Sequence, residues 1–467
     1  MKNNALIVSV LIVLFLGGCG TERQNDADAV FLQTARESHD WVRDAIIYEV
    51  YLRSFSPEGT FAGLENRLDE LKDLGVTVLW LMPIHPVGEE NKKGTLGSPY
   101  SIRDYFDVNP EFGSMEDFQS LLDAAHDRGF KLIIDLVANH TAWDNPLIEE
   151  HPDWYVHDDE GNIIHPAGTD WWDVADLDYD NPEVWDYMKE VMRFWVEDIG
   201  VDGFRCDVSE LVPVEFWEEA RDMLDDIKPV MMLSEGTAPE HHLHAFDITY
   251  AWNVYHTLPG IVHENEPATV IDDLLQEEVA SYPAGSLRLR FKSNHDENAW
   301  DAPAVEKWGR KGAKAVGTLV TMMPGVPLLY NGDEVGNPER LDLFEKIPID
   351  WSGGEEYRSF YTELFSLYNE SPAFRSGGFV KIPTSEVTRI YSFIRSHEHD
   401  LMFVLINLKP EEVTFDVPVN PVLDAGNMQS GALWKQFGHG DEVINIVYDD
   451  DISISLPEYG YVIYEVR

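Results

Sequence analysis

The chain has 467 residues, 44% hydrophobic and 12% aromatic, which is enough for a large core with an accessory domain and excludes a disordered chain. Its 85 acidic against 34 basic side chains give a formal net charge of -51, which argues against a nucleic-acid partner and suits a neutral ligand. The acid excess is spread along the chain as on a solvated surface, a pattern that adaptation to high salt would also produce.

The start of the chain reads as an export signal. Met1-Lys2 precedes an apolar run from Ala5 to Leu16, followed by Leu16-Gly17-Gly18-Cys19. That ending looks like a bacterial lipobox, with residues 1–18 removed and Cys19 lipidated, and it places the protein on the cell envelope through a lipid anchor. The alternative is an ordinary membrane-anchor helix, for which the run is short. The polar residues 19–40 then serve as a tether. Cys206 is the only other cysteine, so no disulfide is expected once Cys19 is acylated.

From Trp41 onward, apolar β-branched runs alternate with amphipathic segments. Residues 45–55 read as a strand and 63–74 as a helix with leucines at 64, 68, 71 and 74. A strand at 76–84 follows, then a helix at 114–128 opened by Ser114 with Asp117 three residues on, then a strand at 131–137. Residues 141–180, rich in Trp, His, Asp and Pro, interrupt the pattern, and insertions of that length are usually functional. Alternation resumes with a helix at 182–199, a strand at 201–208, a helix at 214–227 and strands at 230–234 and 247–253. A helix at 268–281, a strand at 287–292, a helix at 304–323, a strand at 326–330 and a helix at 357–369 complete it.

Eight strand-helix units predict a closed parallel (β/α)8 barrel over residues 41–375, with the insert after strand three and an active site at the C-terminal strand ends. Residues 376–467 carry strand-like runs at 389–394, 401–407 and 461–466, which reads as a C-terminal antiparallel β-sandwich.

The predicted strand ends are loaded with polar groups. Asp135 to His140 end strand three, Arg205 and Asp207 end strand four, Ser234-Glu235-Gly236 end strand five and Asn294-His295-Asp296 end strand seven. Alternation puts Arg205 and Asp207 on one strand face, where the cation would keep the carboxylate ionised and oriented. That arrangement suits a carboxylate nucleophile, and a buried ion pair without chemistry is the alternative. Two opposed carboxylates, one ionised and one protonated, are the equipment for splitting a glycosidic bond.

Asp135-Leu136-Val137-Ala138-Asn139-His140, Gly203-Phe204-Arg205-Cys206-Asp207, Ser234-Glu235-Gly236 and Asn294-His295-Asp296 resemble, in order and spacing, the four signature segments of the α-amylase family, glycoside hydrolase family 13. The resemblance implies that Asp207 is the nucleophile, Glu235 the general acid and base, and Asp296 a third carboxylate that grips sugar hydroxyls. It further implies that Arg205 orients Asp207, that His140 and His295 bond the sugar, that Asp135 braces the site and that Tyr100 stacks on a sugar ring. Trp143, Trp154, Trp171 and Trp172 of the insert are candidate sugar platforms or the insert's own core. The chemistry needs no cofactor. The resemblance also offers Asn139 as a calcium ligand, with Asp173, Asp176 or Asp178 to complete an oxygen cage.

The implied activity is retaining hydrolysis of α-1,4 links in starch, glycogen or malto-oligosaccharides. An α-glucosidase, a cyclomaltodextrinase or neopullulanase, and a glucanotransferase use the same machinery. A non-catalytic glucan-binding lipoprotein is the reading from another class. After Asp207, Ser209-Glu210-Leu211 departs from the lysine and histidine of starch-liquefying relatives, which puts long-chain endo action in doubt.

Overall fold

A computed structural model describes residues 30–467. The expected signal at 1–18, Cys19 and the tether as far as residue 29 lie outside the described residues. Among the described residues, no helix is long and apolar enough to cross a membrane.

The first ten strands are β1 (Ile47–Val50), β2 (Val78–Leu81), β3 (Lys131–Leu136), β4 (His140–Ala142), β5 (Val174–Asp176), β6 (Gly203–Cys206), β7 (Met231–Ser234), β8 (Ile248–Tyr250), β9 (Leu287–Arg290) and β10 (Val326–Tyr330). Eight of them close a parallel barrel in the order β1-β10-β9-β8-β7-β6-β3-β2, while β4 and β5 pair antiparallel within the insert after β3. Barrel strands are almost wholly buried on both faces, which is why most of them read as largely apolar runs. The expected barrel is therefore present.

Buried acids sew the floor of the barrel together. Asp202, just before β6, accepts from the Leu132 amide at 3.0 Å and from Lys131 Nζ at 3.0 Å. Asp247, just before β8, accepts from the Met232 amide at 2.9 Å and from Arg221 at 2.8 Å. Each carboxylate satisfies a backbone donor on a neighbouring strand that would otherwise be buried unpaired.

Several elements are shorter or more broken than their patterns predict. The expected strand at 45–55 ends at Val50, and a helical turn (Leu52–Phe55) follows. Arg53 in that turn is fully buried and donates to three loop carbonyls, so long-range pairing overrides the local strand pattern. The helix expected at 63–74 is two, Phe61–Glu65 and Leu68–Leu74, and the one expected at 304–323 breaks before Arg310. Trp252–His263 is a helix that the pattern missed, because Pro259 lies inside it. The capping box at Ser114 and Asp117 is present as expected.

Eight further strands, β11 (Gly378–Lys381), β12 (Ile390–His397), β13 (Asp400–Asn407), β14 (Val413–Pro418), β15 (Ser430–Gly438), β16 (Val443–Val447), β17 (Asp451–Leu456) and β18 (Tyr461–Val466), form two antiparallel sheets. The order of the larger is β11-β12-β13-β18-β15-β16, and β14 pairs with β17. Alternation along β13 explains their placement: Met402, Val404 and Ile406 join the barrel core, while Leu401, Phe403 and Leu405 join the core under β14 and β17. Arg395 on β12 locks the junction by donating to the carbonyls of Met322 and Gly377, both at 3.0 Å.

Gly203 opens β6 at φ +140°, and a Cβ there would stand 2.0 Å from the Met231 carbonyl oxygen on β7. Gly203→Ala is expected to destabilise the barrel by about 3 kcal/mol or more, read as a lowered midpoint in thermal or urea unfolding.

Candidate active site

The site is built around one guanidinium. Arg205 sits in β6 with no solvent exposure, and its Nη1 donates to Asp135 Oδ1 and to Asp207 Oδ1, each at 2.9 Å. Its Nη2 makes an ion-pair contact with Glu235 Oε1 at 2.7 Å, and its Nε lies 3.3 Å from the Tyr250 hydroxyl. Three carboxylates from three adjacent strand ends thus share one positive charge. Trp80 and Tyr100 cover the guanidinium from their ring faces.

Each carboxylate is also held from elsewhere. Asp135 accepts from Trp80 Nε1 at 3.2 Å, and its Oδ2 stands 3.4 Å from the Tyr100 hydroxyl. Glu235 Oε2 accepts from the Val208 amide at 2.8 Å. Val208 reaches that position with φ +37° and ψ 44°, a left-handed backbone that a β-branched residue rarely adopts. The turn after the nucleophile candidate is therefore strained so as to aim a donor at the next carboxylate.

His295 forms the second half of the site. Its Nδ1 lies 2.5 Å from Glu49 Oε1 and its Nε2 2.7 Å from the Tyr100 hydroxyl, with Asp296 Oδ2 at 3.5 Å. Tyr100 stacks on the His295 ring at 5.5 Å between centroids. Asp296 is the most open of the acids, with 36% of its side chain exposed at the cavity.

Burial dominates the proton affinities. It pushes Asp207 up to about 6 and Asp135 up to about 6, with Arg205 pulling both back. Glu235 is driven furthest among the acids, to about 7, by the same desolvation. Burial disfavours a charged His295, but Asp296 and Glu49 outweigh it and raise the ring to about 9. His140 has no such partners, and burial drops it to about 3. The site therefore favours the proton on Glu235 over Asp207 and sets a charged imidazole at His295 beside a neutral one at His140.

Tyr100, His140, Asp207, Glu235, His295 and Asp296 all line one cavity of about 190 Å³, with Arg205 and Asp135 behind it. The structure thus brings together the residues singled out on the strand ends. Of the four insert tryptophans only Trp171 lines the cavity; Trp154 is 7% exposed and packs in the core, and Trp143 donates to the Trp172 carbonyl. Sequence reasoning missed Glu49, Trp300 and Phe344. A glutamate inside the apolar run of β1 was the available signal for the first, since a charged residue on a fully buried strand needs a partner.

The calcium expectation does not fit these residues. Asn139 donates its amide to Asp176 Oδ1 at 3.2 Å, and Asp173 is neutralised by Lys93 Nζ at 2.8 Å. Among the described residues, no cluster of three or more acidic, histidine or cysteine side chains is arranged to hold a metal ion.

Comparison with known proteins agrees with this geometry. The family model "Alpha amylase, catalytic domain" matches residues 23–364. A maltogenic α-amylase, AmyB, from Thermotoga neapolitana superposes with a TM-score of 0.83 at 31% identity, covering 91% of this chain and 99% of that one. The α-amylase MalA of Haloarcula japonica is 28% identical over 458 residues, 94% of this chain and 66% of its own length. Neopullulanase 2 of Thermoactinomyces vulgaris is 25% identical over 470 residues, 86% of this chain and 75% of its own. The chain belongs to the α-amylase family and is a glycoside hydrolase of that family.

Proposed function

We propose that the enzyme hydrolyses α-1,4-glucosidic bonds of α-glucans with retention of anomeric configuration. The observation that carries this reading is the bracketing of Asp207 and Glu235 by one guanidinium, at 2.9 and 2.7 Å. Two carboxylates that bracket one guanidinium from adjacent strand ends, with the proton favoured on Glu235, suit the nucleophile and acid pair of a retaining enzyme.

In the first step Glu235, protonated, gives its proton to the glycosidic oxygen as the bond to the anomeric carbon breaks. Asp207, ionised, forms the new bond to that carbon from the opposite face. In the second step Glu235 takes a proton from water, the water oxygen attacks the anomeric carbon and Asp207 leaves as carboxylate. Asp296 and the charged His295 bond the sugar hydroxyls, Tyr100 offers its ring to the sugar face and Asp135 fixes Arg205. The names of the relatives, an α-amylase, a maltogenic α-amylase and a neopullulanase, support this reading. We also propose envelope attachment through a lipidated Cys19, supported by Leu16-Gly17-Gly18-Cys19 standing just ahead of the family match.

Asp207→Asn is expected to lower kcat by at least about 10⁴-fold on maltoheptaose, read by chromatography of products. Glu235→Gln should lose about 10²–10⁴-fold on the same sugar yet retain glycosylation of an aryl glycoside, whose leaving group needs no proton. Untouched turnover in either variant would remove the role assigned to it.

Stability gives a separate readout. Glu235 binds its proton more tightly in the folded chain, at about 7, than its ordinary value of 4.5, so its favourable contribution is lost as pH rises between those values. Glu235→Gln should therefore unfold at a higher temperature than the parent at pH 8, by on the order of 1 kcal/mol, with the difference vanishing near pH 4.

A further inference from the structure

The closed strand order places β1 across the barrel from β7, and Glu235 follows β7 directly. The loops after β2 and β10 flank β1, so they stand on the side of the cavity opposite the proton donor. In the proposed reaction the leaving group departs beside Glu235, which leaves the opposite side to the sugar that becomes bonded to Asp207 and to any rings that precede it.

That opposite side is bordered by three segments joined to one another. Lys93, in the loop after β2, reaches the insert: its Nζ lies 2.8 Å from Asp173 Oδ1 and 3.3 Å from the Asp170 carbonyl oxygen. Two and three residues on, the same loop joins the loop after β10. The Thr95 amide donates to Glu345 Oε1 at 2.8 Å and the Leu96 amide to the Phe344 carbonyl at 3.0 Å. Gly94, between these contacts, has φ +61°, and a Cβ there would stand 2.5 Å from Phe344 Cβ. The two loops therefore touch closely enough to require glycine.

The wall is also bolted from beneath. Buried Arg53 donates to the Gly97 carbonyl at 2.7 Å and to the Leu343 carbonyl at 2.9 Å, binding the loop after β2 to the loop after β10 a second time. Trp300, 63% exposed, packs its ring on Phe344 at 5.8 Å and extends the rim. Lys93, Leu343, Phe344 and Trp300 all line the cavity. The cavity they share with the catalytic acids measures about 190 Å³. None of these contacts serves bond cleavage itself. Their common effect is to tie three segments into one rim on that side of the cavity.

We infer that the Lys93–Asp173 bridge and the joined loops at 93–97 and 343–345 stop the glycone side after one or two sugar rings, so that the enzyme grips an α-glucan by its non-reducing end and releases a short product of fixed length. This inference rests on the hydrolase reading above and adds the end of the chain that is recognised.

The test uses two maltoheptaoses carrying a 4-nitrophenyl group at the reducing end, one with its non-reducing glucose free and one with that glucose capped by an ethylidene group across O4 and O6. The intact enzyme should consume the free substrate with glucose or maltose as the sole unlabelled early product. The capped one should be cut at least about 100-fold more slowly, because the cap meets the wall. Lys93→Ala, which unfastens the insert from the loop, should narrow that difference by about 10-fold and broaden the product lengths. Equal cleavage of both substrates by the intact enzyme, with mixed product lengths, would overturn the inference while leaving the hydrolase reading in place. A folded Lys93→Ala with unchanged discrimination would overturn the part given to the bridge. Cleavage of neither substrate would overturn the hydrolase reading, and the inference with it.

Discussion

A single buried cation holds the active end of this barrel together. Removing Arg205 from water costs several kcal/mol, and so does removing each carboxylate beside it; the cluster persists because every member is paired and hydrogen-bonded. The charges do not cancel. Three acids around one guanidinium leave an excess of negative charge in a poorly solvated place, and burial then raises the proton affinity of the acids. Glu235 is raised furthest, so the proton needed by a leaving group is held where the surplus is relieved.

The barrel supplies this cluster because its closure sets the C-terminal ends of neighbouring strands side by side at one rim. Apolar residues make up most of the barrel strands, and the acids that matter to the two ends lie at or beside the rims. At the floor, Asp202 and Asp247 are spent on backbone amides and neighbouring cations, a structural use. At the opposite rim the acids keep oxygen atoms that face the cavity. The two rims thus contain the same chemical groups with opposite accounting of hydrogen bonds, and that difference separates a brace from a site.

Around the rim, rigidity comes from loops tied to loops. Glu210 turns back to accept from the amides of Thr237 and Ala238, which secures the segment after Glu235. Arg53 collects carbonyls from two loops at once, and Lys93 pairs with Asp173 of the insert. These links bring the insert, the loop after β2 and the loop after β10 into one wall.

Periodicity and polar residues at the ends of apolar runs are local properties, so the sequence by itself determined the strand-helix alternation, the barrel, the insert after β3 and the acids at the strand ends. It also identified Arg205 and Asp207 as neighbours, because two residues apart on one strand is a local distance. Element ends were less legible: Arg53 draws the chain out of β1 early, and Pro259 hides a helix. Partners far apart in sequence were not legible at all. Glu49 meets His295 across 246 positions, Leu96 meets Phe344 and Lys93 meets Asp173 only because the barrel closes and folds its loops over one another. Which acids share Arg205, which tryptophans face the cavity and which loops border it were therefore decided by tertiary structure, since closure fixes distances between segments whose local patterns carry no information about each other.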